Sequence, residues 1–277
     1  MTKGMNTPRG CLFRYGVLGV IAATLLCGCG REHEQPSTKQ ETLMLYCGAG
    51  FADVAKLLIA KWESEGGARL QVNYAEGGRL VAQILTVRRG DLFLAGNEKL
   101  VDTVIEKGAA IGETKKTISW FVPVIMVGKG NPKGIHEMRG LLRPGIRLGL
   151  GDERACPVTR NTLRMLSANG LSVEAFNSNV VYRSATDEML PLAVHQGTID
   201  AAIVWDTQGL GEAIAIPPEQ NIPSPIVIVI LKSSQNVELA RKFVEFVTSG
   251  RGKAILASQH YAIENPGSIP KTIGEQP

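Results

Sequence analysis

The chain has 277 residues, 44% of them hydrophobic and 5% aromatic, with 30 Lys plus Arg against 26 Asp plus Glu and a formal net charge of +4. That length exceeds a minimal domain and suits two lobes of about 100 to 120 residues, each able to bury a core. Lys and Arg are scattered among acids with no basic stripe and no aromatic interleaving, which excludes a nucleic-acid footprint.

The first segment reads as an export signal. Lys3, Arg9 and Arg14 stand without an acid before the apolar core Gly16 to Leu26, which is too short for a bilayer of ~30 Å. Leu26-Cys27-Gly28-Cys29 resembles the bacterial lipobox, so residues 1–29 are expected to be a lipoprotein signal with Cys29 lipidated as the first mature residue. Ordinary signal cleavage and a short uncleaved anchor are the alternatives. Removing residues 1–28 takes away three basic and no acidic residues, which brings the formal charge from +4 to +1. Residues 30–40 are polar, hold a proline and lack periodicity, as a solvated tether between lipid and fold would. The expected location is therefore extracytoplasmic, on a membrane face through a lipid anchor.

From Glu41 onward strands and helices alternate. Leu43–Cys47 predicts a strand, stopped by Gly48-Ala49-Gly50, and Val54, Leu57, Leu58 and Trp62 recur at helical spacing. The unit repeats as strand 69–74, turn Glu76-Gly77-Gly78 and a helix through Leu80, Ile84 and Leu85. A third copy has strand 91–94 and helix 98–107, closed by Gly108. The run Trp120–Val127 predicts one long apolar strand. The rhythm then restarts with strand 146–152, Pro157 and a helix through Leu163 and Leu166, followed by strand 180–182, Thr186-Asp187 and helix 188–195. Ala201–Trp205 is read as the last strand of this second lobe. Val227–Leu231 is a further buried strand, and helices 237–248 and 252–258 close the chain. Alternating strands and helices imply an α/β fold of two lobes, each a mostly parallel sheet flanked by helices, with residues 41–124 plus 213–277 in lobe 1 and 125–212 in lobe 2.

A parallel sheet gathers its strand-to-helix turns at one edge, where helix N-termini leave N–H groups unpaired and present the positive ends of their dipoles. Ala49, Gly50 and Phe51, Gly77 and Gly78, and Gly96 mark such turns in the first lobe; Val158 and Asp187 open helices in the second. A tight connection accounts for any one of them, whereas their recurrence in two lobes points to a small ligand in the crevice between. Of the five cysteines only Cys47 and Cys156 lie beyond the signal, and both are read as free. The four histidines are isolated, so no metal site and no cofactor are expected.

Three stretches carry a family resemblance: Tyr46-Cys47-Gly48-Ala49-Gly50, Tyr74-Ala75-Glu76-Gly77-Gly78-Arg79-Leu80, and Gly90-Asp91-Leu92-Phe93-Leu94-Ala95-Gly96. With Arg147–Asp152, Gly197–Trp205, Leu231-Lys232-Ser233-Ser234 and Gly252–Leu256 in the same order, residues 42–262 resemble the periplasmic molybdate/tungstate-binding proteins of ABC importers. The resemblance implies a type II periplasmic-binding-protein fold, an oxyanion held between the lobes by N–H and hydroxyl donors, closure on binding, an ABC permease as partner, and a monomer. It places the family's serine donors at Gly50 and at Glu76 to Gly78, a backbone donor at Gly96, second-lobe donors near Val158 and at Asp187, and its tyrosine at Trp205. Here the serines are glycine or glutamate, and tryptophan donates only through its indole N–H. The carboxylate that completes six-coordinate binding in archaeal relatives falls at Ala155, which argues against that mode.

Glu76 and Asp187 pose the sharpest question, because a carboxylate beside a dianion is unfavourable unless a cation intervenes. Either both side chains face solvent and only their N–H groups face the ligand, or the ligand carries a donor or a positive group. Arg79, Arg154, Arg160 and Arg183 stand near the turns and could neutralise charge. Sulfate, a phosphonate or a zwitterion is the alternative ligand, and a surface sensor the alternative role. The dinucleotide-binding pattern at Gly48-Ala49-Gly50-Phe51-Ala52-Asp53 fails at its third glycine, which is Asp53. There is no Gly-x-Ser-x-Gly elbow for a hydrolase. A Cys47 thiol at a helix start could be activated, but it lacks a histidine in a matching signature. No enzymatic activity is expected.

Overall fold

The computed structural model describes residues 41–267; the signal, lipidation and tether expectations lie outside the described residues. The described residues gather into one compact unit built on two five-stranded sheets. The first sheet holds β1 (Thr42–Gly48), β2 (Arg69–Ala75), β3 (Leu92–Ala95), β4 (Lys116–Phe121) and β10 (Ser224–Ile230) in the order β2-β1-β3-β10-β4. The second holds β5 (Pro123–Val127), β6 (Leu148–Gly151), β7 (Val180–Ser184), β8 (Ala201–Trp205) and β9 (Glu212–Ala215) in the order β7-β6-β8-β5-β9.

Both sheets are mostly parallel, each with one reversed strand. β1 pairs β2 and β3 in parallel, whereas β10 runs antiparallel to β3 and β4. In the second sheet β6 pairs β7 and β8 in parallel, and β5 runs antiparallel to β8 and β9. The antiparallel strands are those through which the chain enters or returns to a lobe, and they need no crossover helix.

Helices α1 (Ala52–Ser64), α2 (Gly77–Val87) and α3 (Glu98–Glu106) follow β1, β2 and β3. In the second lobe α4 (Pro157–Ala168) follows β6, α5 (Val173–Ser178) precedes β7, and α6 (Met189–His195) follows it. α7 (Val237–Thr248) packs on β10 and β4, and α8 (Gly250–Ser258) on α7 and α1. Local chemistry sets the ends of α3: the Asn97 side chain accepts from the Lys99 N–H at 3.0 Å, and Gly108 takes φ +70° just past its C-terminus. Every residue of β10, Ser-Pro-Ile-Val-Ile-Val-Ile, is buried, as a β-branched run between two helical layers should be.

The predicted strand 120–127 is two strands in two sheets. Pro123 lacks an N–H and breaks the ladder. Val122 instead exchanges hydrogen bonds with Asp206, whose Oδ1 accepts from the Val122 N–H at 3.2 Å and whose own N–H donates to the Val122 carbonyl at 2.9 Å. Trp205 likewise does not end the second sheet, because β9 follows on its edge. Pro123, Val124 and Ala213–Ala215 therefore belong to the second sheet, a few residues outside the expected 125–212.

Each lobe fixes the foot of one strand, β3 in the first and β8 in the second, with a buried aspartate. Asp91 accepts from the Met44 N–H at 2.7 Å and the Ser234 hydroxyl at 2.6 Å. Asp200 accepts from the Arg147 N–H at 2.8 Å and from its guanidinium at 2.7 and 3.2 Å. Burial works against the charged Asp200, but the Arg147 hydrogen bonds and charge prevail and hold its carboxyl below the usual range. A depressed carboxylate stabilises the fold at neutral pH, and that stabilisation disappears as pH falls through the acid range. Asp200→Ala should therefore lose about 2 kcal/mol of unfolding free energy at pH 7. Urea melts of both proteins should converge as the pH is lowered toward 3.

Candidate functional site

The strand-to-helix edges of the two sheets face each other across a cleft of about 530 Å³. Its first wall is made by the 3-10 turn Ala49–Phe51, the start of α2 at Gly77 and Gly78, and the β3–α3 turn at Ala95, Gly96 and Asn97. The opposite wall carries Arg154, Ala155, Pro157, Arg160 and the segment Ala185–Glu188, with Phe121 and Trp205 where the chain crosses between lobes. Ala49, Gly50, Phe51, Gly77, Gly78, Gly96, Asp187 and Trp205 are thus brought together from positions spread over more than half the sequence. Val158 is not among them: it is wholly buried behind Pro157.

Glu76 does not face solvent idly. Its carboxylate folds over the start of α2 and accepts from the Gly78 N–H at 2.8 Å and the Arg79 N–H at 3.0 Å. The helix terminus is already capped by an anion of the chain itself, and the Gly78 amide is committed to it. Gly96 is required by packing: a Cβ there would lie 2.5 Å from the Phe121 ring. Gly50 is different, since a Cβ on it meets nothing within 4 Å.

On the second wall several amides are spent. The Arg154 and Ala155 N–H groups donate to Asp152 Oδ1 at 2.8 and 3.3 Å, Cys156 N–H donates to the Asp152 carbonyl at 2.7 Å, and Pro157 has none. The Thr186 N–H donates to the Ser184 hydroxyl at 3.1 Å. Trp205 donates its indole N–H to Asp187 Oδ2 at 3.1 Å rather than into the cleft. Asp187 therefore turns inward, which removes the alternative in which both carboxylates face solvent. Its Oδ1 is buried and makes no hydrogen bond of ordinary geometry among the described residues. Burial raises the Asp187 carboxyl to about 6, helped by neighbouring Glu188 and opposed by the Cys156 thiol, the Trp205 indole and the Val158 amide.

The floor is aromatic. Phe121 packs on Trp205 at 5.4 Å between centroids and on Tyr261 at 5.7 Å, and Tyr261 meets Phe51 edge-on at 5.2 Å. Phe121 and Leu100, which line the cleft, and Tyr261, which packs against Phe121, were not singled out from the sequence. Phe121 was hidden inside a strand read as continuous, and Tyr261 lies in a tail with no periodicity.

Cys47 and Cys156 are free and buried, and burial drives both thiols to about 12. An activated Cys47 nucleophile is thereby excluded. Among the described residues, no group of three or more His, Cys, Asp or Glu could hold a metal ion.

Two mixed α/β lobes with their turn edges opposed across a cleft define a two-lobed solute-binding protein of type II topology. Residues 43–262 match the family of bacterial extracellular solute-binding proteins, and the chain belongs to that family. A Haemophilus influenzae protein described simply as a binding protein is 31% identical over 224 residues, 78% of this chain and 89% of its own. The Mycobacterium tuberculosis molybdate-binding protein ModA is 24% identical over 252 residues, 88% and 94% of the two chains. Among solved structures, a substrate-binding domain assigned to a molybdenum ABC transporter of Clostridium difficile superposes with a TM-score of 0.71 at 19% identity, covering 80% of this chain and 99% of its own. Solute binding without chemical conversion is the work of this family.

Asp187 makes the fold sensitive to pH. Because its folded pKa lies above the ordinary value near 3.9, the native state binds the extra proton, and stability falls as pH rises through about 6. Asp187→Asn should raise unfolding free energy at pH 8 by about 1 kcal/mol, with the gain vanishing near pH 4. Thermal melts across that range measure it.

Proposed function

We propose that this chain is the extracytoplasmic solute-binding component of an ABC importer, held on the membrane by lipid on Cys29, which captures a tetrahedral oxyanion group in its cleft and releases it to a permease. The observation that carries this reading is the convergence of the Ala49–Phe51 turn and the Gly96 turn on one wall of the cleft. There the amides of Ala49, Gly50, Phe51 and Gly96 would supply donors to the anion, as turns at a strand-to-helix edge do for phosphate groups. The molybdate-binding name of the mycobacterial relative supports molybdate or tungstate as the first ligands to test.

Binding would close the lobe built on the first sheet onto the lobe built on the second, about the two crossing segments. The donors sit on the first wall, whereas Gly78, Val158 and Trp205 have their N–H groups engaged or buried.

Gly50 provides the cleanest test, since a Cβ there meets nothing within 4 Å. Gly50→Leu should lower affinity for the bound anion about tenfold or more, while the melting temperature of the ligand-free protein stays within about 2 °C. Calorimetry on ligand-stripped protein with molybdate, tungstate and sulfate reads the affinity. A variant that binds as tightly as the parent removes the first-wall turn from the site. Gly96 is less suitable, because a side chain there displaces the Phe121 ring.

A further inference from the structure

Resting on the reading of the cleft as an oxyanion site, the chemistry of its walls points to the kind of molecule that carries the oxyanion. The cleft is bounded below by Phe121 and Trp205, both nearly buried and packed ring against ring. Such a floor offers a naked dianion no donor, because the Trp205 indole N–H is already given to Asp187.

The two walls also differ in how they could meet negative charge. The first wall presents turns and helix starts. On the second wall the amides of Arg154, Ala155, Cys156 and Thr186 are consumed internally, and Pro157 has none. That wall holds out two guanidinium groups, and Glu188 lines it as well. Arg154 is almost fully exposed, with its Nε 3.7 Å from Asp152 Oδ1, and Arg160 lines the cleft while one of its nitrogens braces the carbonyls of Glu153 and Arg154. Between the walls lies the apolar floor, and beside it the buried Asp187 carboxylate. A small anion that tried to bridge both walls at the centre would leave its donors and sit against rings and a carboxylate. An anion extended by a short hydrocarbon body would place one charge on each wall and apolar surface on the floor.

We propose that the site takes a small organic anion with two acidic ends: an oxyanion head on the first-wall turns, a short apolar body over the Phe121 and Trp205 rings, and a second acidic group at Arg154 and Arg160. A phosphono-carboxylate or a phosphorylated short acid has this form. Each methylene buried on the floor contributes about a fourfold gain in affinity, and the guanidinium pair adds geometric preference for a planar carboxylate.

The test is calorimetry of ligand-stripped protein at pH 7.5 with six probes: molybdate, sulfate, inorganic phosphate, methylphosphonate, phosphonoacetate and 3-phosphonopropionate. The expected result is that 3-phosphonopropionate binds at least about tenfold tighter than either phosphate or methylphosphonate. In the Arg154→Gln/Arg160→Gln double variant, that advantage should fall to within about threefold of methylphosphonate. A circular dichroism melt of the variant establishes that it is folded; Arg154→Gln alone, which leaves the Arg160 brace in place, should show part of the same loss. If molybdate or sulfate binds tighter than both phosphono-carboxylates, the two-ended ligand is overturned and the oxyanion site stands. If 3-phosphonopropionate keeps its advantage in the folded double variant, the role of the arginines is overturned. If none of the six binds, the oxyanion reading falls, and this inference with it.

Discussion

The structure depends on how the chain passes from one sheet to the other. It crosses outward at Val122, between β4 and β5, and returns between Ala215 and Ser224. The Val122–Asp206 pair of hydrogen bonds secures the first crossing to the end of β8, and the Asn221 side chain on the second crossing donates to the Pro123 carbonyl at 2.9 Å. Two strands of chain that are bound to each other hold the two sheets with their strand-to-helix edges opposed. Parallel pairs β1–β3 and β6–β8 put their turns at those edges, so a single cleft inherits the loops of both lobes.

What the cleft can do follows from which backbone donors remain after the fold has satisfied itself. Helix starts attract anions, and here several of them have attracted the chain's own. Glu76 caps α2, Asp152 gathers the amides before α4, and Asp187 takes the Trp205 indole. Internal capping stabilises the helices and leaves the Ala49–Phe51 and Gly96 turns as the donors that the proposed anion would use. Asp187 is the one cap that carries a penalty of its own, because its second oxygen is buried without an ordinary hydrogen bond and its carboxyl is held near 6. A carboxylate in that state links the electrostatics of the cleft to pH in the mildly acidic range.

The floor shows how a tertiary contact can assign a glycine's role. Gly96 reads in sequence as a turn residue that lets a ligand approach. In the fold its missing Cβ admits the Phe121 ring, which is continuous with Trp205 on one side and Tyr261 on the other. Tyr261 comes from the tail, where the Trp120 N–H and the Ser119 hydroxyl both donate to the Ala262 carbonyl at 3.0 and 2.8 Å. The end of the described chain is thus fastened at the place where the two lobes join.

By itself the sequence determined the elements and the lobes, because periodicity and punctuation are local: the βα units through Gly108, the buried Val227–Leu231 strand, the closing helices and the clustering of glycine turns at one edge were all legible. It also pointed to a cleft at the strand-to-helix edges, since that order of elements gathers the turns there. It did not determine that Trp120–Val127 splits between two sheets, because the split is set where Val122 exchanges hydrogen bonds with Asp206, more than eighty residues away. Nor did it determine which donors are free. Whether Glu76 caps its own helix, whether Trp205 faces a ligand or Asp187, and whether Val158 lies at the surface are decided by side-chain directions and burial, which depend on neighbours remote in the chain. Those choices belong to the tertiary structure because hydrogen-bond donors are shared out only once every competing acceptor has been brought within reach.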